Sequence, residues 1–210
     1  MAHTFDETIT SRERLREVIG GQPSQSSADK AIDRIDEACA RFIAAAPFVL
    51  IATRGEDGGM DISPKGDPAG FVRVLDERTL AIPDRPGNRR LDTFENVLDN
   101  PQVGLIFLVP GVTHTLRVSG TARIVSDPAL AETMRVKRHA PSLILVVDVQ
   151  EAFMHCAKCM MRSGLWDPDA WDRQPDVPTL GEAIIAHAKL TDSLREVEDR
   201  ISDSYRTKMY

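Results

Sequence analysis

At least six short apolar or alternating stretches, each closed by Gly, Pro, Asn or Asp, follow one another between residues 48 and 149. That spacing constrains the fold more than any other feature of the chain. Phe48 to Thr53 is an apolar run of strand length. Glu56-Asp57-Gly58-Gly59 is a turn, and Met60 to Pro64 resumes an extended pattern, so the two segments read as a hairpin. Val72 to Leu75 and Thr79 to Ile82 read as a second strand pair turning at Asp76-Glu77. Val103 to Val109 and Thr115 to Ile124 form a third pair, joined at Pro110-Gly111, and Leu143 to Val149 is a strong central strand. The helices between them are few, so a doubly wound parallel sheet, which needs regular β–α alternation, does not fit. The pattern predicts a mainly β fold with flanking helices, built as a closed or partly closed barrel.

Helical periodicity marks the edges of this region. Ser27 followed by Asp29 to Phe42 predicts a capped amphipathic helix, with Ile32, Ile35, Cys39, Phe42 and Ile43 at helical spacing and Pro47 as its stop. Arg89 to Leu98 predicts a helix whose face carries Leu91, Phe94, Val97 and Leu98, stopped at Asn100-Pro101. Asp127-Pro128 opens another, to about Lys137. Phe153 to Arg162 fits strand, helix or both. Residues 1–20 carry a weak helical pattern, broken by Gly20, Gly21 and Pro23. After a Pro- and Asp-rich loop from Asp169, one mostly polar helix is predicted from Leu180 onward, with a thin apolar stripe that needs a partner surface. The resulting division is an N-terminal extension (1–28), a barrel domain (29–168) and a C-terminal loop and helical extension (169–210).

Composition narrows the function classes. Lys plus Arg number 26 against 32 Asp plus Glu, for a net charge of −6, and no basic stripe stands out, which argues against nucleic acid as a partner. The longest apolar runs fall far short of the ~20 residues that span a bilayer. The polar, acidic N-terminus does not read as a secretory signal. Three cysteines form no disulfide framework, so a cytoplasmic protein with reduced thiols is expected. GxSxG, Walker and GxGxxG motifs are all absent.

Three segments carry chemistry-bearing residues. In AIPDRPGNRRL, residues 81–91, a strand ends at Pro83, a Pro-Gly turn follows, and Asn88-Arg89-Arg90 is predicted to open a helix. Helix-start N–H groups and a helix dipole favour an anion there, and guanidinium forks match phosphate oxygens. Two cations at a helix N-terminus are electrostatically misplaced unless an anion offsets them; the competing reading is a solvated arginine pair. In DISPKGDPAG, residues 61–70, Lys65 is a point charge within reach of a phosphate, and the backbone through Ser63 offers groups to a flat heterocycle; a surface turn explains the same residues. In HCAKCMMRSGLWDP, residues 155–168, Cys156 and Cys159 form a CxxC beside His155. No second ligand pair completes a zinc site, so no metal is expected. A thioredoxin-like pair and small, partly buried structural residues remain as readings. Trp166 is suited to covering an aromatic ligand or plugging the core.

The blocks SPKGDPAGFVRVLD, LAIPDRPGNRRLDTFENVLDNPQVGLIFLVPG, TLRVSGTARI and HCAKCMMRSGLWDP, in this order, resemble the pyridoxamine 5′-phosphate oxidase-related FMN-binding proteins over roughly residues 30–168. The resemblance implies a six-stranded antiparallel split β-barrel and a homodimer holding FMN between its subunits. It also implies roles. Lys65, Asn88, Arg89 and Arg90 would hold the phosphate, and Ile82 and Pro83 would line the flavin. Thr115 would face the ring system, and Arg162 and Trp166 would come from the partner subunit. The expected activity is hydride or electron transfer between FMN and a small molecule, with His114 and His155 as candidate proton-transfer groups. The alternatives are a non-catalytic flavin sensor and a barrel binding deazaflavin F420 or haem. The tryptophan- and arginine-rich ending of true pyridoxamine phosphate oxidases is missing, which argues against vitamin B6 as substrate.

Overall fold

The computed structural model describes residues 3–172 and 176–210. Residues 1 and 2 of the polar N-terminus, and 173–175 of the expected loop ahead of Leu180, lie outside the described part. Among the described residues there are seven strands: β1 (Phe48–Arg54), β2 (Met60–Gly66), β3 (Arg73–Asp76), β4 (Thr79–Pro83), β5 (Gln102–Leu108), β6 (Thr115–Val125) and β7 (Ile144–His155). They form one antiparallel sheet in the order β2-β1-β5-β6-β7-β4-β3. The sheet curls on itself. Val49 and Ile51 near one end of the order and Leu80 and Ile82 near the other belong to a single core, with Leu105, Phe107, Leu116 and Val147 between them. The expected count of six strands becomes seven because the four-residue β3 adds to the edge of β4, and the sheet does not close between β2 and β3.

A register shift explains how the long strand β7 serves this core. Ser119 of β6 pairs with Glu151 while Gly120 pairs with Val149, which leaves Gln150 unpaired in a β-bulge. The inward parity of β7 therefore changes from Leu145, Val147 and Val149 to Ala152. Gly120 permits the bulge: a Cβ there would lie 2.1 Å from the Asp148 carbonyl oxygen. The other face of β7 is also covered at its start. Ile144 and Val146 pack with Ala81, Ala131 and Met134, the last two brought there by α5 (Pro128–Thr133) and the turn after it.

Three helix predictions needed correction. The helix expected over 29–42 is split into α2 (Gln25–Asp29) and α3 (Glu37–Ala45), preceded by an exposed α1 (Arg12–Ile19). Ile32 instead exchanges two backbone hydrogen bonds with Ala152, and α3 starts where the Asp36 carboxylate accepts from the Cys39 N–H at 2.8 Å. Its buried face is Cys39, Phe42 and Ile43. The helix expected from Arg89 begins later, as α4 (Asp92–Asp99), with Thr93, Phe94 and Val97 buried. Asn96 of α4 donates to the buried Thr53 hydroxyl at 3.0 Å, which seats this helix on β1.

The third correction lies in the C-terminal region. The ambiguous stretch 153–162 resolves as the end of β7 and then α6 (Lys158–Ser163). Beyond it, the single helix expected from Leu180 is a pair, α7 (Leu180–Ala188) and α8 (Leu194–Thr207). Lys189 in the left-handed region ends α7, and a capping box between Ser193 and Glu196 starts α8. The helices approach closely at Gly181, where a Cβ would sit 2.9 Å from Glu198 Cγ. No helix among the described residues is long and apolar enough to cross a membrane.

Candidate functional site

Alternation along β2 sets the first part of the site. Asp61, Ser63 and Lys65 are half-buried, while Met60, Ile62 and Pro64 face outward. Register places Lys65, Ser63 and Asp61 opposite Val49, Ile51 and Thr53, so these polar side chains extend the core face of the sheet at its edge. The Ser63 hydroxyl donates to Asp61 Oδ2 at 2.9 Å.

The segment after β4 faces them. The Asp84 N–H donates to the Leu143 carbonyl at 3.0 Å, after which the chain leaves the sheet. Burial pushes the Asp84 carboxyl up from its ordinary value, and the positive charge of Lys65 opposes that shift. Asp92 is held below its ordinary value by its hydrogen bond from Arg90, with Lys65 contributing. Lys65 therefore senses both ends of the 84–92 segment. Within it, Asn88 Oδ1 accepts from the Arg90 N–H at 3.0 Å, an Asx turn. Arg89 and Leu91 both have positive φ, 62° and 61°, conformations that non-glycine residues seldom adopt and that cluster at functional sites. Leu91 caps α4 with no side-chain hydrogen bond, and the carboxylates of Asp92 and Glu95 stand in the first turn.

The arginine pair is thus placed differently from expectation. Arg89 and Arg90 precede α4 instead of forming its first turn, because the two left-handed residues delay the helix to Asp92. Both are exposed in the single chain. Arg90 Nε bonds Asp92 Oδ2 at 2.7 Å, and Arg89 has no ion pair among the described residues. Asn88 is exposed as well. Pro83 is buried at the strand end, and Ile82 is 2% exposed within the core, so its side chain supports the site from behind.

A second group lies around the β6–β7 end. Thr115 is buried and pairs with His155. Trp166 donates from Nε1 to the Val112 carbonyl at 3.0 Å, which fixes the chain after α6 to the β5–β6 connection, while Arg162 is exposed on α6. His114 is exposed, its ring 5.4 Å from that of Phe42. No hydrogen bond or ion pair links this group to the first among the described residues. Cys156 and Cys159 are exposed, which corrects the reading of them as partly buried, and among the described residues no thioredoxin-like βαβ unit surrounds them. No cluster of His, Cys, Asp and Glu suited to a metal ion occurs among the described residues.

Sequence reasoning missed the contact that holds the first group together. Arg85 Nε bonds Asp67 Oδ2 at 2.6 Å; the Asp67 side chain is fully buried and that of Arg85 is 15% exposed. Arg85 Nη2 donates to the Met134 carbonyl at 2.8 Å, and the Tyr210 hydroxyl donates to Asp67 Oδ1 at 2.7 Å. That bond raises the Tyr210 phenol above its ordinary range. Both Arg85 and Asp67 stand in the singled-out blocks, but nothing local signals that they meet. Among the described residues, three buried side-chain polar atoms lack a partner: Arg85 Nη1, Thr93 Oγ1 and His155 Nδ1. Arg85 lies within the 84–92 segment, Thr93 directly follows it in α4, and His155 pairs with Thr115, so unmet hydrogen-bonding capacity sits on or next to the segments that carry the candidate residues.

The family described as pyridoxamine 5′-phosphate oxidase matches residues 35–156, more than half of the chain. No curated relative matches the chain. Among solved structures, a variant of HupZ from Group A Streptococcus is 21% identical, with a TM-score of 0.47 over 58% of this chain and 99% of that one. A candidate pyridoxamine 5′-phosphate oxidase from Lactobacillus delbrueckii is 23% identical, with a TM-score of 0.44 over 58% and 99% of the two chains. An F420 reductase is 20% identical, with a TM-score of 0.41 over 52% and 92%.

Replacing Arg85 with Met should lower stability by about 3–5 kcal/mol, because it leaves the Asp67 carboxylate buried with only the Tyr210 hydroxyl as a side-chain partner. Urea denaturation measures this; a loss under 1 kcal/mol would show that the pair is not buried as described.

Proposed function

Because the chain belongs to the pyridoxamine 5′-phosphate oxidase family, we propose that it is a flavoprotein that binds FMN and works as an oxidoreductase on a small molecule. One observation carries this reading. The 84–92 segment presents two arginines, Arg89 from a left-handed backbone and Arg90 between it and the left-handed Leu91, ahead of a helix start with no side-chain cap and beside Lys65. Uncapped helix-start N–H groups and guanidinium forks are the donors a phosphate dianion takes. The unpartnered buried Nη1 of Arg85 on the same segment, and Oγ1 of Thr93 in the first turn of α4, fit a polar ligand.

In this reading Lys65, Asn88, Arg89 and Arg90 hold the phosphate. Arg90 is available because its pair with Asp92 is exposed, and solvent screening makes such surface pairs weak and readily exchanged. Ser63 and Pro83 flank the isoalloxazine, and Ile82 backs it from the core. When bound, FMN supplies the hydride and electron chemistry; the chain supplies position, charge and exclusion of water. No side chain is assigned as a general acid or base.

The second group, Thr115, Arg162 and Trp166, completes the site across a homodimer. The outward sheet face supports that assembly. Ile62 and Pro64 of β2, Leu50 and Phe48 of β1, and Ile106 of β5 neighbour one another by register, and Ile62, Phe48 and Ile106 are 63%, 37% and 37% exposed. Neighbouring exposed apolar side chains of this kind suit a contact with a second subunit. A cytoplasmic setting is supported by the three free cysteines.

Titrating the purified protein with FMN, followed by flavin absorbance and fluorescence, tests the cofactor reading. Saturable binding is expected, weakened about 100-fold or more when Arg89 and Arg90 are both changed to Ala, at about 1.5–3 kcal/mol per charged hydrogen bond. Absence of binding contradicts the reading, as does tight binding of F420 or a haem Soret band instead. Unchanged affinity in the double variant removes the phosphate assignment alone. For the assembly, sedimentation velocity should return a dimer that Ile62→Asp converts to monomer; a wild-type monomer contradicts it.

A further inference from the structure

The CxxC stretch stands outside the flavin reading, and its backbone carries an inference of its own. β7 ends at His155 and α6 begins at Lys158. Between Cys156 and Cys159 stand Ala157, at φ −71° and ψ −13°, and Lys158, the first residue of the helix. Two right-handed helical residues between the cysteines hold their Cα atoms about 5–6 Å apart, the span of a single turn. A disulfide bridges Cα separations of about 4.4–6.8 Å. The backbone thus already supplies the spacing that ring closure requires.

That spacing is held from both sides. His155 is paired to Thr115 across β6, and the Met161 N–H donates to the Ala157 carbonyl at 3.0 Å in the first turn of α6. Closure of the ring therefore orders little additional chain. Both cysteines are exposed and free, so a small oxidant reaches them. The contrast with Cys39 is sharp: it is 4% exposed, and burial pushes its thiol up to about 11. Thiol reactivity follows exposure and thiolate content, so Cys39 is inert where the pair is open to exchange.

We propose that Cys156 and Cys159 are a redox-active dithiol that closes to an intramolecular disulfide by exchange with a low-molecular-weight disulfide of the glutathione type. The thiolate of one cysteine attacks a sulfur of the small disulfide; that S–S bond breaks and one small thiolate leaves. The thiolate of the second cysteine then attacks the protein sulfur of the mixed disulfide, forms the Cys156–Cys159 bond and expels the second small thiolate. In sum the protein loses two electrons and two protons, and the small disulfide becomes two thiols. Closure ties the end of β7 to the first turn of α6, the element that leads to Arg162 and Trp166. It does not depend on flavin binding.

The test treats reduced wild-type protein with glutathione disulfide, alkylates it with N-ethylmaleimide under denaturing conditions, and maps the peptides by mass. The expected product has Cys39 alkylated and the 156–159 peptide two mass units lighter, free of both glutathione and maleimide. Dithiothreitol should restore all three alkylatable thiols. At least one of Cys156→Ser and Cys159→Ser, the variant that keeps the attacking cysteine, should instead retain one glutathione on the remaining cysteine of the pair. Persistent glutathione adducts on the wild type, a disulfide between two chains, or two thiols still alkylated when the single variants are modified would each overturn the proposal. Failure of both single variants to take up glutathione would overturn it too, since neither cysteine would then make the first exchange.

Discussion

A fully buried carboxylate, Asp67, ties together the parts of the chain that build the candidate site. Its oxygens take Arg85 and the Tyr210 hydroxyl, and Arg85 reaches on to the Met134 carbonyl. Four segments distant in sequence are thereby joined: the turn after β2, the segment after β4, the turn after α5 and the residues that follow α8. A buried charge without partners costs several kcal/mol, so the contact specifies one arrangement of these segments even where its net contribution to stability is small. The 84–92 segment leaves the sheet at Asp84 and is pinned one residue later. The positive φ values at Arg89 and Leu91 lie between that anchor and the seat of α4 on Thr53. Strained backbone persists only where its surroundings over-determine it, and here two fixed ends do so.

This construction separates charges that fold the protein from charges free to act. Arg85 is consumed by Asp67 in the interior, while Arg89, Arg90 and Lys65 stand at the rim. The acidic neighbours Asp61, Asp84 and Asp92 moderate the rim charges in the free chain. Burial works against ionisation at Asp84, and Arg90 answers Asp92 in an exposed pair that is inexpensive to exchange. The rim cations are thus not committed to a buried internal partner as Arg85 is.

How much of this was legible in the sequence follows from the range of the interactions. Strands showed themselves by period and by Gly and Pro turns, both local, and the hairpin of β1 and β2 followed. The bulge at Gln150 did not, because it depends on the approach of Gly120 to the Asp148 carbonyl. The break between α2 and α3 was hidden by helical spacing from Ile32 to Ile43. Backbone bonding of Ile32 to Ala152, 120 positions away, overrides that periodicity. The arginine pair was found as a motif but misplaced by three residues, since no sequence rule predicts a left-handed leucine as a helix cap. Arg85 looked like one more arginine in its block. Its role comes from residues at positions 67, 134 and 210, and only the folded chain brings them together.

The account turns on whether the rim cations at the start of α4 receive a phosphate. A crystal structure of the protein grown with FMN measures this directly. The account predicts phosphate oxygens within hydrogen-bonding distance, about 2.7–3.2 Å, of Lys65 and of at least one of Arg89 and Arg90. FMN ordered elsewhere on the molecule, with both arginines still facing solvent, would contradict it.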